Sequence, residues 1–211
     1  MAAPGRFITL EGGEGAGKTT QLNRLAGRLR TLGLVVVETR EPGGTAGADA
    51  IRNLVVEGDG DRWDATTEAL LMYAARRDHV MRRIRPALNS GAWVLCDRFS
   101  DSTMAYQGYA HGLGADWIEK LDRLVLEGFQ PDLTIVLDLP IDVGLRRAAE
   151  RGGPDRFEKL GQDFHNTLRQ AFLEIAKHEP DRVRVIDADA PPDKIDEAVF
   201  RTVRDHFGLN G

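Results

Sequence analysis

The sequence predicts an α/β domain in which a parallel sheet lies between layers of helices, and two observations carry this prediction. Short runs of apolar, often β-branched residues recur along the 211-residue chain, and longer stretches with helical spacing of apolar residues lie between them. A glycine-rich loop also follows the first apolar run and leads straight into a helical stretch. Strands and helices that alternate in this way, with right-handed crossovers, form a three-layer α/β domain.

The predicted strands are short and almost continuously apolar, as expected when both faces of a parallel sheet are covered. They span residues 7–10, 34–38, 93–96, 133–137 and 183–186. The predicted helices span residues 18–32, 66–90, 141–150, 157–177 and 193–206. We find no internal repeat, low-complexity tract or long linker, so residues 1–211 are expected to form a single domain.

Composition argues against several classes of protein. The chain is 42% hydrophobic and 29% charged, and no apolar run approaches the ~20 residues that span a bilayer. The N-terminus has no signal pattern, and Cys96, the single cysteine, permits no internal disulfide, so we expect a cytoplasmic protein without a membrane anchor. The net charge of −5 argues against nucleic acid as a partner, and the five histidines lack metal-ligand spacing.

The glycine-rich loop matches the phosphate-binding pattern G-x-x-x-x-G-K-[ST] between a strand and a helix. Its glycines allow backbone N–H groups to surround phosphate oxygens, and the helix N-terminus adds partial positive charge. We expect Lys18 to reach the β- and γ-phosphates of ATP and the hydroxyl of Thr19 to ligate Mg²⁺. The predicted nucleotide-binding residues are Gly12, Gly13, Glu14, Gly15, Ala16, Gly17, Lys18, Thr19 and Thr20.

A second cluster of polar residues follows the third predicted strand. Asp97 can hold Mg²⁺ through water, and the planar guanidinium of Arg98 can bridge two phosphates. In the segment 102–108, Thr103 and Gln107 carry groups that suit the edge of a pyrimidine. A surface salt bridge at the strand end and a helix cap in the segment are the alternative interpretations.

Seven segments resemble those of bacterial thymidylate kinases, in the same order and over nearly the whole chain. They are residues 11–20, 40–45, 74–76, 97–98, 102–108, 131–138, and 151–152 with 155–156. The resemblance implies the P-loop nucleoside monophosphate kinase fold, with a five-stranded parallel sheet and helices on both faces. It also implies Mg-ATP-dependent phosphorylation of thymidine 5′-monophosphate to the diphosphate, in dTTP biosynthesis, by a homodimer.

The resemblance assigns roles at the acceptor site. Arg98, with Arg52 beside it, would hold the thymidylate phosphate. Arg76 would donate to a carbonyl of the thymine ring, and Thr103 and Gln107 would bond the ring edge.

Three further positions follow from the same resemblance. Glu14 would lie near the deoxyribose hydroxyl, and the Glu41–Pro42 peptide is expected to be cis and to shape the acceptor pocket. The family usually places a phenylalanine on the thymine ring four residues before Arg76, but this chain has Met72 there. Methionine can lie against a ring through its thioether, with less shape selection.

A lid is expected around residues 146–157, where Arg146, Arg147, Arg151 and Arg156 surround a Gly-Gly-Pro segment. Members of the resembling family carry a catalytic arginine either in the phosphate loop or in the lid. This phosphate loop has no basic residue at its variable positions, so the chain resembles the enterobacterial, lid-arginine type. The resemblance therefore implies that the catalytic arginine of the lid is Arg151 or Arg156. Lys18 and Arg98 are the other predicted catalytic residues. For Arg146, a solvated basic face is an equal alternative.

Two other functions remain open at the level of sequence. The acceptor could be a different nucleoside monophosphate, although the residues expected at the base edge argue for thymidylate. Alternatively, the chain could be a regulatory or mechanical ATPase, which would hydrolyse ATP without an acceptor. Asp138, at the end of the fourth predicted strand, is expected to support its loop and not to bind metal.

Overall fold

The computed structural model describes residues 5–57, 62–150 and 160–209. Its centre is a five-stranded sheet with the strand order β2-β3-β1-β4-β5, and every neighbouring pair is parallel. The strands are β1 Phe7–Glu11, β2 Val36–Arg40, β3 Trp93–Asp97, β4 Leu133–Asp138 and β5 Val183–Asp187. The predicted α/β class and all five predicted strands are therefore confirmed.

Helices cover both faces of this sheet. They are α1 Lys18–Thr31, α2 Ala46–Val56, α3 Ala65–His79, α4 Arg85–Asn89, α5 Ser100–Thr103, α6 Ala115–Leu126, α7 Ile141–Glu150, α8 Gln162–His178 and α9 Pro192–Phe207. A π-helical segment at Val80–Ile84 joins α3 to α4, and a second one at Met104–Ala110 continues α5. Within the described residues, no helix has both the length and the apolar character needed to cross a membrane.

The core has an apolar cluster on each side of the sheet, because successive side chains of a strand point to opposite faces. From β1, Ile8 and Leu10 pack with residues of α1 and α9, whereas Phe7 packs with residues of α3 and α6 on the other face. A third cluster joins α8 to the second π-helical segment and includes Phe172 and Tyr106. These layers hold the carboxyl ends of β1 and β3 rigidly side by side.

Several boundaries differ from the prediction for local reasons. Strand β2 begins at Val36 because Leu34 still closes helix α1, with its N–H donating to Leu29 O at 3.2 Å after the left-handed Gly33. The helix predicted over 66–90 is interrupted where the N–H of Arg85 donates to Val80 O, one residue beyond the α-helical partner, next to Pro86.

Helices α2, α5 and α6 were not predicted from the sequence. Helix α2 contains a glycine and β-branched residues, which are weak helix formers, and it is capped by Thr45, whose hydroxyl accepts from the N–H of Ala48 at 3.2 Å. In α6 the signal was present, since Ile118, Leu121 and Val125 recur at helical spacing. Helix α8 begins at Gln162, and the part of its prediction at 157–159 lies outside the described residues.

Candidate active site

The phosphate loop connects β1 to α1, as the motif predicts. Gly12, Gly15 and Gly17 have φ angles of 132°, 69° and 87°, a region that side chains other than glycine rarely adopt. A Cβ atom at Gly15 would lie 2.0 Å from the carbonyl oxygen of Gly144 in α7, and one at Gly144 would lie 2.5 Å from Glu14 O. The loop is therefore held directly against the backbone of the helix that leads to the predicted lid.

Lys18 is folded back over this loop. Its Nζ donates to the carbonyl oxygens of Gly12 at 3.1 Å and Gly13 at 2.8 Å. Burial and, to a smaller extent, the positive charge of Arg98 lower the pKa of Lys18 to about 8, although the carboxylates of Glu14 and Asp97 oppose the shift. The ammonium is thus already placed where negative phosphate oxygens would compensate for its burial.

Thr19 and Asp97 meet at the sheet edge. The Thr19 hydroxyl donates to Asp97 Oδ2 at 2.6 Å, because the register of β1 with β3 places Leu10 opposite Asp97. A hydroxyl and a carboxylate are the hard oxygen ligands that Mg²⁺ prefers. This pair of side chains fits the predicted metal site.

A cavity of about 110 Å³ lies beside the phosphate loop. It brings together every residue predicted to bind the acceptor, namely Glu14, Arg52, Met72, Arg76, Arg98, Thr103 and Gln107. Glu41, Pro42, Val56, Phe99, Ser102 and Tyr106 complete its lining, and the Glu41–Pro42 peptide is cis, as expected. Arg52 donates to Pro42 O at 2.9 Å and so is anchored at this lining. The individual roles stay predictions.

Arg98 occupies the end of the cavity nearest the phosphate loop. Its backbone has a φ angle of 71°, and its guanidinium donates to Glu14 Oε1 at 2.6 Å and to Gly12 O at 3.2 Å. Tyr106 donates to the same Glu14 oxygen at 2.7 Å. The acceptor-side arginine is therefore in direct contact with the donor-side loop.

The buried Glu11 fixes the turn that follows Arg98. Its carboxylate accepts from the N–H of Phe99 at 2.7 Å and from the Ser102 hydroxyl at 2.5 Å. Burial and, to a smaller extent, the negative charge of Asp101 raise the pKa of Glu11 to about 7, although Arg98 opposes the shift. Glu11 lies within a segment singled out in the sequence, but its role there was not predicted.

Arg76 also lines the cavity and is only 2% exposed. Its Nε donates to Glu41 Oε2 at 2.7 Å, and its Nη2 donates to Phe99 O and to Thr103 Oγ1, both at 3.0 Å. Its Nη1 is buried and makes no hydrogen bond with any described residue. The hydroxyl oxygen of Thr103 thus already accepts one hydrogen bond from Arg76, and its own O–H remains able to donate.

Behind Arg76, a buried chain of polar groups reaches the second strand. His79 Nδ1 lies 2.9 Å from Glu41 Oε1, and His79 Nε2 lies 2.7 Å from Thr39 Oγ1. The contacts of Glu41 with Arg76 and His79 were not predicted, because the segments 40–45 and 74–76 do not show which side chains meet and His79 lies outside both. The contact of Tyr106 with Glu14 was also not predicted, although Tyr106 lies in the segment 102–108.

Residues 151–157 of the predicted lid, with Arg151 and Arg156 among them, lie outside the described residues, so the lid stays a prediction. Arg147 donates to Ala188 O at 3.3 Å, so it ties α7 to the end of the sheet. Asp138 accepts two hydrogen bonds from Arg169, at 2.7 and 2.8 Å, which agrees with the supporting role expected for it.

Comparison with known proteins connects this geometry to a family. The family described as thymidylate kinase matches residues 10–199. A thymidylate kinase of Caulobacter vibrioides is 57% identical over 205 residues, which cover 97% of this chain and 99% of the relative. A thymidylate kinase of Rhizorhabdus wittichii is 52% identical over 204 residues, covering 96% and 98%.

A solved structure gives the same result. The crystal structure of thymidylate kinase from Ehrlichia chaffeensis superposes with a TM-score of 0.76 at 35% identity and covers 95% of this chain and 99% of that one. The resemblance seen in the sequence and the predicted kinase fold are thereby confirmed. The chain belongs to the thymidylate kinase family.

Proposed function

We propose that this chain transfers the γ-phosphoryl group of ATP to thymidine 5′-monophosphate, forming thymidine 5′-diphosphate for dTTP synthesis. The observation that carries the proposal is the cavity beside the phosphate loop. Arg98 contacts the phosphate loop from this cavity, and Arg76 and Gln107 line the same cavity without contacting the loop in any hydrogen bond between described residues. An anionic phosphate and a hydrogen-bonding base can therefore be held at the same time, with the phosphate next to the donor.

At the donor side, the phosphate loop and Lys18 hold the triphosphate, and Thr19 and Asp97 would hold Mg²⁺. The bound metal would neutralise charge on the β- and γ-phosphates. Lys18 exchanges its two carbonyl partners in the loop for phosphate oxygens. The positive φ angles of Gly12, Gly15 and Gly17 allow the N–H groups of the loop to turn toward the same phosphate oxygens.

At the acceptor side, Arg98 and Arg52 bind the thymidylate phosphate. This phosphate is already anionic near neutral pH, so the reaction needs no strong general base. Catalysis consists of alignment and charge neutralisation in a loose transition state. We assign further positive charge to the lid arginines Arg151 and Arg156, and closure of the lid would exclude water.

At the base end, the unpartnered Nη1 of Arg76 can donate to the C4 carbonyl of thymine, and Gln107 Oε1 can accept from N3–H. Met72 lines the same cavity and would lie against the ring. Glu14, which the hydroxyl of Tyr106 contacts, would meet the deoxyribose.

We also propose a homodimer located in the cytoplasm. Leu54 on α2, Leu70 on α3 and Leu124 on α6 are exposed, and α3 packs against both of the other helices. Leucines exposed on adjoining helices suit the apolar core of an interface with a second copy. The buried state of Cys96 agrees with a reducing compartment.

The deciding experiment incubates the protein with Mg-ATP and each nucleoside monophosphate, and separates the products by chromatography. Thymidine 5′-diphosphate should be the main product. Equal turnover of a different monophosphate would overturn the assignment of the acceptor, and ATP hydrolysis that is independent of any acceptor would favour an ATPase.

A variant pair tests the base end of the site. Arg76→Ala should raise the KM for thymidylate by about 10- to 100-fold, as expected for loss of a charge-assisted hydrogen bond worth roughly 1.5–3 kcal/mol. The KM for ATP should change little. Arg77→Ala is the matched control, because Arg77 donates to Val125 O outside the cavity. Equal effects of Arg76→Ala on both substrates would assign Arg76 to the fold.

A further inference from the structure

The side-chain amide of Gln107 is oriented by a carboxylate from another helix. Gln107 lies in the π-helical segment that continues α5, and its Nε2 donates to Glu68 Oε1 in α3 at 2.6 Å. Both side chains are 1% exposed. The imidazole Nε2 of His111 lies 3.8 Å from the same Glu68 oxygen, beyond hydrogen-bond distance.

This contact determines which end of the amide faces away from Glu68. A carboxylate accepts hydrogen bonds and does not donate them, so Nε2 is turned toward Glu68 and Oε1 is turned away. Gln107 Oε1 is buried and accepts no hydrogen bond from the described residues. Since Gln107 lines the acceptor cavity together with Arg76, the lining of this cavity includes one oriented acceptor, Gln107 Oε1, and one donor without a partner among the described residues, Arg76 Nη1.

We infer that Glu68 is a positioning residue that determines pyrimidine specificity. It holds Gln107 so that the amide oxygen, and not the nitrogen, meets N3 of the base. This inference rests on the proposed function, since it concerns the base of the same acceptor. Glu68 itself lies outside the lining of the cavity and acts only through Gln107.

The oriented pair distinguishes thymine from cytosine. Thymine and uracil present a carbonyl at C4 and N–H at N3, so they complement Arg76 Nη1 and Gln107 Oε1. Cytosine presents an amino group at C4 and a nitrogen without hydrogen at N3. Its amino donor would therefore face the donor Arg76 Nη1, and its N3 acceptor would face the acceptor Gln107 Oε1. A buried site that must leave its polar groups unpaired rejects such a ligand strongly. Without Glu68, the amide could rotate and offer its NH₂ group to N3 of cytosine.

The test compares kcat/KM for dTMP, dUMP and dCMP in the wild type and in Glu68→Gln. A glutamine at position 68 can donate as well as accept, so Gln107 loses its fixed orientation. We expect kcat/KM for dTMP and dUMP to fall together by about tenfold, while the value for dCMP stays constant or rises. The dTMP-to-dCMP ratio should therefore fall by about tenfold or more. Glu119→Gln is the matched control, because Glu119 contacts Arg123 on the surface, and its ratio should equal that of the wild type.

Three outcomes would overturn the inference. In the first, Glu68→Gln lowers the three values equally, which assigns Glu68 only to folding. In the second, the ratio also changes in a Gln107→Leu background, which shows that Glu68 does not act through Gln107. The third outcome applies if Glu68→Gln does not fold. In that case Glu68→Asp, which shortens the side chain and moves the carboxylate away from Gln107, would leave the dTMP-to-dCMP ratio unchanged. Absence of dTMP phosphorylation by the wild type would instead overturn the proposed function.

Discussion

Arg98 and Glu14 form an ion pair of 2.6 Å between the acceptor cavity and the phosphate loop. Arg98 follows strand β3, whereas Glu14 lies between two glycines of the loop that follows β1. The position of the arginine that would hold the acceptor phosphate is thus set by the loop that would hold the donor. Together with the hydrogen bond from Arg98 to Gly12 O, this contact would align the two substrates.

Glu14→Gln tests that relationship. The glutamine keeps the size of the side chain but removes the charge that holds Arg98, so the KM for dTMP should rise by about tenfold. The KM for ATP should change less than about threefold, because the loop N–H groups and Lys18 are retained. Steady-state kinetics with each substrate varied gives both values. A matching rise in the two constants would show that Glu14 shapes the loop and does not serve the acceptor.

The lowered pKa of Lys18 predicts a pH dependence of ATP binding. In the free protein the ammonium loses its proton as the pH rises through about 8, whereas the bound triphosphate favours the charged form. ATP affinity should therefore fall above that pH, by up to about tenfold per pH unit, and binding should take up a proton. Calorimetry in two buffers of different ionisation enthalpy measures the uptake. Lys18→Arg should remove the proton uptake, and a wild type without uptake would contradict the assignment.

Glu11 predicts a pH dependence of stability. Its pKa is raised from 4.5 to about 7, mainly by burial, so the native state binds a proton that the unfolded chain releases at lower pH. The Glu11 contribution to the free energy of unfolding therefore falls as the pH rises through this window. Glu11→Gln carries no such proton, so its stability relative to the wild type should increase by up to about 3 kcal/mol. Urea denaturation at about pH 5 and about pH 8 measures this difference. Parallel pH profiles would show that Glu11 is ionised throughout.

Met72→Phe tests the departure from the usual stacking residue. Met72 is half-buried and lines the acceptor cavity. If it lies against the thymine ring, a phenylalanine should strengthen dTMP binding by about 0.5–1.5 kcal/mol, as expected for aromatic stacking. Titration of dTMP, with ATP as the control ligand, measures the change. A strong loss of affinity for dTMP would show that the cavity is fitted to methionine.

The lid proposal predicts a kinetic signature for Arg151→Ala. A cation that acts only in the closed, reacting state contributes to kcat and little to KM, and loss of a transition-state arginine can cost ~10³-fold or more. Single-turnover and steady-state kinetics separate these effects. Arg146→Ala is the matched control, since Arg146 is exposed on α7. A large loss in Arg156→Ala alone would move the role to Arg156, and normal turnover in both variants would remove the lid from catalysis.

Sequence patterns predict those parts of the molecule whose causes are local. The loop at Lys18 depends on glycine conformations and on its position between a strand and a helix, both of which are visible in a short window. Strand interiors are visible for the same reason. The start of β2 was placed two residues early because a run containing Leu34 is apolar whether it ends a helix or begins a strand.

The supporting network of the site could not be predicted in this way. Glu68 is separated from Gln107 by 39 positions, and His79 from Glu41 by 38. Only the packing of α3 against its neighbours brings these groups together, and Glu68 and His79, the partners on α3, lie outside every segment that the sequence singles out. Their burial makes them important, because an unpaired polar group in the core is costly, but burial is a property of the fold.

The contact between Gly15 and Gly144 limits how this site can evolve. At either position, any side chain would collide with the main chain of the other segment, at 2.0 Å and 2.5 Å. A second substitution cannot relieve such a collision, because the obstructing atoms belong to the backbone and not to a replaceable side chain. Substitutions at these two positions are therefore not tolerated. Functional variants selected from a saturation library should carry glycine alone at both positions. Adaptation of this enzyme to a new acceptor or an inhibitor must therefore occur by substitution of residues that line the acceptor cavity. The spacing between the phosphate loop and helix α7 would stay constant.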